Sequence, residues 1–199
     1  MISFKIFIFD FDDSFTFNIA NRLLKMGLQS EVVVQKNHKR ILDKILKIKD
    51  EKYCLILGPG PGHPNEYSLI NSFLDRLLKK ENILMFGICL GHQILMKKLG
   101  YKIAKKVPNH GISQNIFYKN KIVSVQQYNS LVVKYRKNSQ NDGKILLYDG
   151  DIWGFESERL VSWQFHPESV GTTCPLLFFS SIPIFLYNSK DGNKKKNQN

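Results

Sequence analysis

The chain has 199 residues, 43% hydrophobic, 12% aromatic and 23% charged, a mixture that suits one globular domain with a sizeable core and excludes a wholly disordered, collagen-like or low-complexity chain. Lys and Arg number 29 against 17 Asp and Glu, a formal charge of +12, which raises nucleic acid as a partner. Much of that charge has an ordinary explanation: residues 190–199 carry four lysines and one aspartate, and the lysines of residues 44–49 sit between apolar positions, as on a solvated helix face. No dedicated nucleic-acid role is indicated.

The longest apolar stretch, residues 175–186, is interrupted by Ser180, Ser181 and Pro183 and falls short of the roughly 20 residues a membrane-spanning helix needs. The N-terminus runs directly into a strand-like segment without the basic, apolar and small-residue pattern of a signal peptide. Cys54, Cys89 and Cys174 are odd in number and lack C-x-x-C spacing, which fits neither a disulfide framework nor a four-ligand zinc site. A reducing, cytoplasmic setting is expected, with no membrane partner and no metal.

In chain order, residues 4–9 predict a strand, residues 10–14 a polar loop, and Phe15, Ile19, Leu23 and Met26 an amphipathic helix ending at Gly27. A strand at 32–34 follows, then a helix through Ile41, Leu42, Ile45 and Ile48. The next strand, 53–57, lacks alternation and reads as buried on both faces. A third round gives a helix at 69–78, a strand at 83–86 and a short helix at 91–99. Alternation of this length implies a parallel sheet with helices on both faces. After Gly100 the texture changes to short β pieces at 116–118, 122–125, 130–133, 145–148, 152–155 and 160–165, with turns at 141–143 and 149–151. The expected architecture is α/β: an open, mostly parallel sheet flanked by helices, with an added mixed or antiparallel β portion in the C-terminal half. Residues 1–188 form one domain in this reading and 189–199 a basic disordered tail.

Ligands of open parallel sheets bind beyond the carboxyl ends of the strands, and three loops there are unusual. Residues 87–93 (GICLGHQ) place Cys89 between glycines where a strand meets a helix, the cysteine counterpart of the G-x-S-x-G nucleophile elbow. The helix start would favour the thiolate and offer a backbone N–H to an oxyanion. Cys54, inside an apolar strand, reads as core instead. A metal held by Cys89 and His92 would need further ligands, and none is at suitable spacing. Residues 58–64 (GPGPGHP) could be no more than a stiff turn, and they lack the Lys-Ser/Thr ending of a phosphate-binding loop. Residues 164–169 (QFHPES) put His166 and Glu168 at i and i+2, on one side of an extended chain, where the carboxylate can orient the imidazole. Nucleophile, base and orienter together suit acyl transfer through a thioester.

These three motifs, with residues 10–18 (DFDDSFTFN), resemble the class I glutamine amidotransferases, specifically the small subunits of anthranilate synthase and aminodeoxychorismate synthase, in order from about residue 5 to about residue 180. The resemblance implies that Cys89 attacks the side-chain amide of L-glutamine, that the N–H groups of Leu90 and Gly60 hold the oxyanion, and that His166, oriented by Glu168, moves the protons. It also implies that Gly60, Pro61, Gly62, Gln93 and the backbone of Ser130 and Leu131 grip glutamine, and that no cofactor is needed. The ammonia would pass to a chorismate-binding synthase subunit facing Asp13, Ser14, Phe15, Thr16, Asn18, His110 and Gly111. A purely local reading of the first of these has Asp13 or Ser14 capping the first helix and Phe15 in the core. The sequence departs from the family pattern at Phe11, Asp12, Gly58, Ile112 and Asn129. An amidotransferase for another acceptor and a non-catalytic partner that has kept the fold are the alternatives.

Overall fold

The computed structural model describes residues 4–108, 111–135 and 142–188. Its first half alternates strand and helix: β1 (Phe4–Phe9), α1 (Thr16–Lys25), β2 (Glu31–Val33), α2 (His38–Lys47), β3 (Lys52–Leu57), α3 (Ser68–Leu78), β4 (Ile83–Ile88) and α4 (Leu90–Lys98). The second half adds β5 (Lys102–Lys105), β6 (Ile112–Tyr118), β7 (Lys121–Gln127), β8 (Leu131–Lys134), β9 (Lys144–Tyr148), β10 (Asp151–Glu156) and β11 (Leu160–Trp163), then two short helices, α5 (Leu176–Phe179) and α6 (Ser181–Tyr187).

The main sheet runs β2-β1-β3-β4-β11-β10-β8-β5, with β9 also on β10. Strands β2, β1, β3, β4 and β11 are parallel; β10, β8, β5 and β9 continue the sheet antiparallel. Thus the last strand of the chain to join the sheet, β11, inserts beside β4 and brings the segment after it next to Cys89. Period-2 alternation splits the core in two. Phe7, Phe9, Leu55, Leu57, Ile83 and Met85 face α2, α3 and α4, whereas Ile6, Ile8, Cys54, Ile56, Leu84 and Phe86 face α1, the β6–β7 hairpin and the C-terminal helices. Both faces are covered, which is why these strands read as continuous apolar runs.

Several expectations need adjustment. β5, with sequence KIAK and no buried residue, is an edge strand that the sequence pattern did not reveal. The strand expected over 160–165 ends at Trp163, leaving Gln164 to begin the functional loop. The apolar stretch 175–186 is core: Phe178, Phe179, Ile182 and Leu186 are buried, and Phe179 stacks on Phe86 at 5.5 Å. Pro183 is tolerated because it lies in the first turn of α6, where its missing N–H has no helical partner to lose. Of the predicted turn at 141–143, Asn141 lies outside the described residues, as do His110 and the tail 189–199.

Candidate active site

Cys89 sits between the last residue of β4 and the first of α4, with φ 51° and ψ −102°. A non-glycine residue held there is strained, and only an over-determined surrounding keeps it so. Two glycines make the turn sterically possible. A Cβ on Gly87 would lie 2.7 Å from the carbonyl of Gly91, and one on Gly91 would lie 2.0 Å from the carbonyl oxygen of Leu57. Two main-chain bonds pin the elbow: Cys89 N–H donates to the Trp163 carbonyl at 2.8 Å, and Gly91 N–H to that of Gly58 at 3.1 Å. The thiol is nearly enclosed, with Cys89 7% exposed.

His166 arrives from β11. Its N–H donates to the Gln126 carbonyl at 2.9 Å and its own carbonyl accepts from the Thr172 hydroxyl at 2.7 Å, so the main chain is held on both sides. The ring packs between Phe15 and Tyr128, each 5.1 Å away by ring centres. Glu168 Oε1 lies 2.7 Å from His166 Nδ1, and both side chains are buried. Burial pulls the imidazolium pKa down, but the charges of Glu168 and Cys89 outweigh it and hold His166 well above its ordinary value of 6.5. With Nδ1 committed to Glu168, and no donor or acceptor within hydrogen-bond geometry of Nε2 among the described residues, Nε2 is the nitrogen left to exchange a proton with the thiol of Cys89, whose interaction with the imidazole helps raise its pKa.

The loop after β3 closes another side. Gly60 lies against Leu90, the residue after the cysteine: a Cβ there would come within 2.5 Å of Phe11 Cβ and 2.8 Å of Leu90 Cδ2. Tyr67 donates its hydroxyl to the Pro61 carbonyl at 2.8 Å, and Gly62, at φ 75°, lies under the Glu66 carboxylate. Pro61 and Gly62 are exposed. His63 caps the short 3-10 turn that follows (Pro64–Glu66). This loop is therefore a held structure against the elbow, more than a stiff turn.

The geometry of a cysteine elbow, a buried His–Glu pair and a glycine-proline loop agrees with the sequence comparisons. The family model for glutamine amidotransferase class-I matches residues 7–181. The chain belongs to that family. Anthranilate synthase component 2 of Saccharolobus solfataricus is 33% identical over 182 residues, covering 83% of this chain and 91% of the relative. The protein of the same name from Cyanophora paradoxa is 31% identical over 182 residues, 84% and 92% of the two chains. A crystal structure from Thermotoga maritima, described as a glutamine amidotransferase, superposes with a TM-score of 0.59 at 16% identity, over 84% of this chain and 77% of that one. A GMP synthase component from Thermoplasma acidophilum superposes with a TM-score of 0.72 at 18% identity, over 94% and 95% of the two chains. Both show that the fold is shared.

Within this amidotransferase fold the remaining predicted residues fall into distinct surroundings. Gln93 Nε2 donates to the Leu131 carbonyl at 3.1 Å and to Gln164 Oε1 at 3.3 Å. Ser130 is exposed, its carbonyl accepting from Lys106 N–H at 2.9 Å. At the other rim, Asp13 accepts from Phe15 N–H at 2.8 Å, and α1 has Phe15 at its cap position with no side-chain cap. Neither Asp13 nor Ser14 caps the helix, and Phe15 is half-buried against Tyr128 and His166 rather than in the core. Thr16 is buried, donating its hydroxyl to Asp10 at 2.7 Å; Ser14 and Gly111 are exposed, Asp13 and Asn18 half-buried.

Four residues lie at this site to which the sequence assigned no role in it. Gln164 is fully buried and its amide approaches Cys89 Sγ at 3.9 Å; a polar residue in the run LVSWQF was a usable signal. Asn129 donates to the Leu131 carbonyl at 3.0 Å, while its Oδ1 has no partner among the described residues. Phe15 and Tyr128, the walls around His166, come from segments far apart in sequence and gave no signal for that contact.

Proposed function

We propose that the chain is the glutaminase subunit of a chorismate-using synthase. Cys89 Sγ, having passed its proton to His166 Nε2, attacks the side-chain amide carbon of L-glutamine as the thiolate. The tetrahedral oxyanion is held by the N–H groups of Leu90, the first residue of α4, and Gly60, each donor worth about 3 kcal/mol in such sites. His166 returns the proton to the amide nitrogen, the C–N bond breaks, ammonia leaves, and a γ-glutamyl thioester remains on Cys89. Water, activated by the same imidazole, then releases glutamate. Glu168 keeps Nδ1 protonated and stabilises the imidazolium. Gly60, Pro61, Gly62, Gln93 and the Ser130–Leu131 backbone form the glutamine cradle, to which Gln164 adds a buried amide.

The single observation that carries the chemistry is the Cys89 elbow beside a buried His166–Glu168 pair, with Nδ1 of the imidazole committed to Glu168 and the thiol acting on the ring. The acceptor rests on the relatives named anthranilate synthase component 2. Ammonia released to water is protonated and lost as a nucleophile, so the subunit has to work docked to the enzyme that uses it. Asp13, Ser14, Thr16, Asn18 and Gly111 mark the docking side, with Thr16 acting through the loop it shapes. Phe17 and Val170, 69% and 89% exposed, supply apolar area beside it.

Reconstitution tests the acceptor. With glutamine and chorismate, the purified chain plus an anthranilate- or aminodeoxychorismate-forming subunit is expected to give an aminated product that neither chain makes from glutamine alone. Product with a nucleotide-aminating synthase, and none with either chorismate enzyme, would assign a different acceptor.

A further inference from the structure

Arg22 is an α1 residue seven positions after Phe15, hence on the same helical face two turns on. Its side chain leaves the helix for the loop that carries the triad acid. Arg22 Nε donates to the Glu168 carbonyl and Nη2 to the Ser169 carbonyl, each at 3.3 Å. Among the described residues Arg22 forms no ion pair with a carboxylate; its fork is spent on these two main-chain oxygens. The matching of a planar, two-pronged donor to two successive carbonyls is geometry a lysine cannot reproduce.

The position matters because the other bonds nearest Glu168 are turn bonds of its own loop, Ser169 N–H to the His166 carbonyl and Thr172 N–H to the Ser169 carbonyl, each at 3.2 Å, whereas Arg22 ties that loop to α1. The His166 main chain is fixed by Gln126 and Thr172. Among the described residues, Arg22 is the donor that reaches the Glu168 carbonyl, and the carboxylate itself touches only His166, its Oε2 being buried without a partner. Where Oε1 meets Nδ1 is therefore set by the loop backbone, and on the α1 side that backbone is set by Arg22.

We propose that Arg22 is a positioning residue for glutamine chemistry: it fixes the peptide around Glu168, and through Glu168 the tautomer and orientation of His166. The proposal rests on the triad reading above. The consequence is that α1, which begins at the segment expected to face the synthase subunit, is tied to the triad at both ends, by Phe15 against the His166 ring and by Arg22 on the Glu168 loop.

The probe is 6-diazo-5-oxo-L-norleucine, a glutamine analogue that alkylates a positioned thiol with loss of N2. Its labelling of Cys89 is read by peptide mass spectrometry as a maximal rate and a half-saturating concentration, with and without the chorismate-binding subunit. Arg22→Ala is expected to lower the maximal rate roughly tenfold to a hundredfold, the scale of misplacing a catalytic group by a fraction of an ångström, with half-saturation little changed. Guanidinium at non-denaturing concentration is expected to restore part of the rate in Arg22→Ala but not in wild type, and Arg22→Lys to fall between. An unchanged maximal rate in Arg22→Ala overturns the proposal, as does a loss that guanidinium leaves untouched while Arg22→Lys behaves like Arg22→Ala. Failure of wild type to label at Cys89 under either condition would instead overturn the triad reading and this proposal with it.

Discussion

At the scale of single residues, the site is built as much by what is missing as by what is present. Gly91 has no side chain because the Leu57 carbonyl oxygen lies 2.0 Å from where a Cβ would be, and Gly60 because Phe11 and Leu90 fill the corresponding space. Overpacking of this kind costs ~1–3 kcal/mol even where the surroundings can give, and here one of the obstacles is backbone. Gly91→Ala is therefore expected to lower the urea midpoint and abolish labelling of Cys89 together; a stable variant with unaltered labelling would show that the elbow can relax. The spacing of these glycines with Cys89, and of His166 with Glu168, marked them in sequence as candidates because it encodes local geometry, and the fold brings the two segments together. Gln164, Phe15 and Tyr128 were not so marked, because their roles depend on which strand ends the sheet brings together.

At the scale of elements, α4 supports the Cys89 elbow, and His92 fastens it. The buried ring lies 2.9 Å from Ser162 Oγ of β11 and 3.1 Å from the Ile152 carbonyl of β10, so one side chain joins three elements. Burial pushes its pKa down to about 3. A folded pKa below the unfolded value means that the unfolded chain binds the extra proton. The contribution of His92 is complete above about pH 6.5 and is lost as pH falls from there toward 3, by at most ~1.4 kcal/mol per pH unit. His166 has the opposite sign: its raised pKa makes its contribution complete below 6.5 and lost as pH rises through the folded value. Urea midpoints measured from pH 6.5 to 4 are expected to fall more gently in His92→Gln than in wild type, even if the variant starts lower; parallel slopes would contradict the assignment. The helices and strands of the first half were readable because β1, β3 and β4 are buried on both faces and α1, α2 and α3 are amphipathic, while α4, buried from Leu90 to Met96, was marked by the Cys89 motif instead. β5 was not, since an edge strand of lysines and small apolar residues carries no strong pattern, and the 175–186 stretch showed its apolarity without showing that Phe178 and Phe179 pack under β4 and β11.

At the scale of the whole molecule, the sheet order explains why the candidate site segments gather at one end of the protein. β1, β3, β4 and β11 are parallel neighbours, and their carboxyl ends deliver the Asp10–Asn18 segment, the glycine-proline loop, the Cys89 elbow and the His166 loop to one rim, as expected for ligand sites in open α/β sheets. Two cavities, of about 420 and 500 Å³, lie near the amino ends of β3 and β4 instead, lined by residues such as Lys52 and Asn82 in one and Ile83 and Met85 in the other. They are remote from Cys89 in the strand direction. Among the described residues no helix is long and apolar enough to cross a membrane. The formal charge of +12 has no counterpart among the residues proposed to act at Cys89, a buried His166–Glu168 pair and backbone N–H groups. The most direct measurement is glutamate release from glutamine by the wild-type chain, Cys89→Ala and His166→Ala, each with a chorismate-binding synthase subunit and chorismate. The account predicts release by wild type, loss of at least a hundredfold on the scale typical of triad removal in both variants, and unaltered binding of the synthase subunit. Release by Cys89→Ala at the wild-type rate would contradict it.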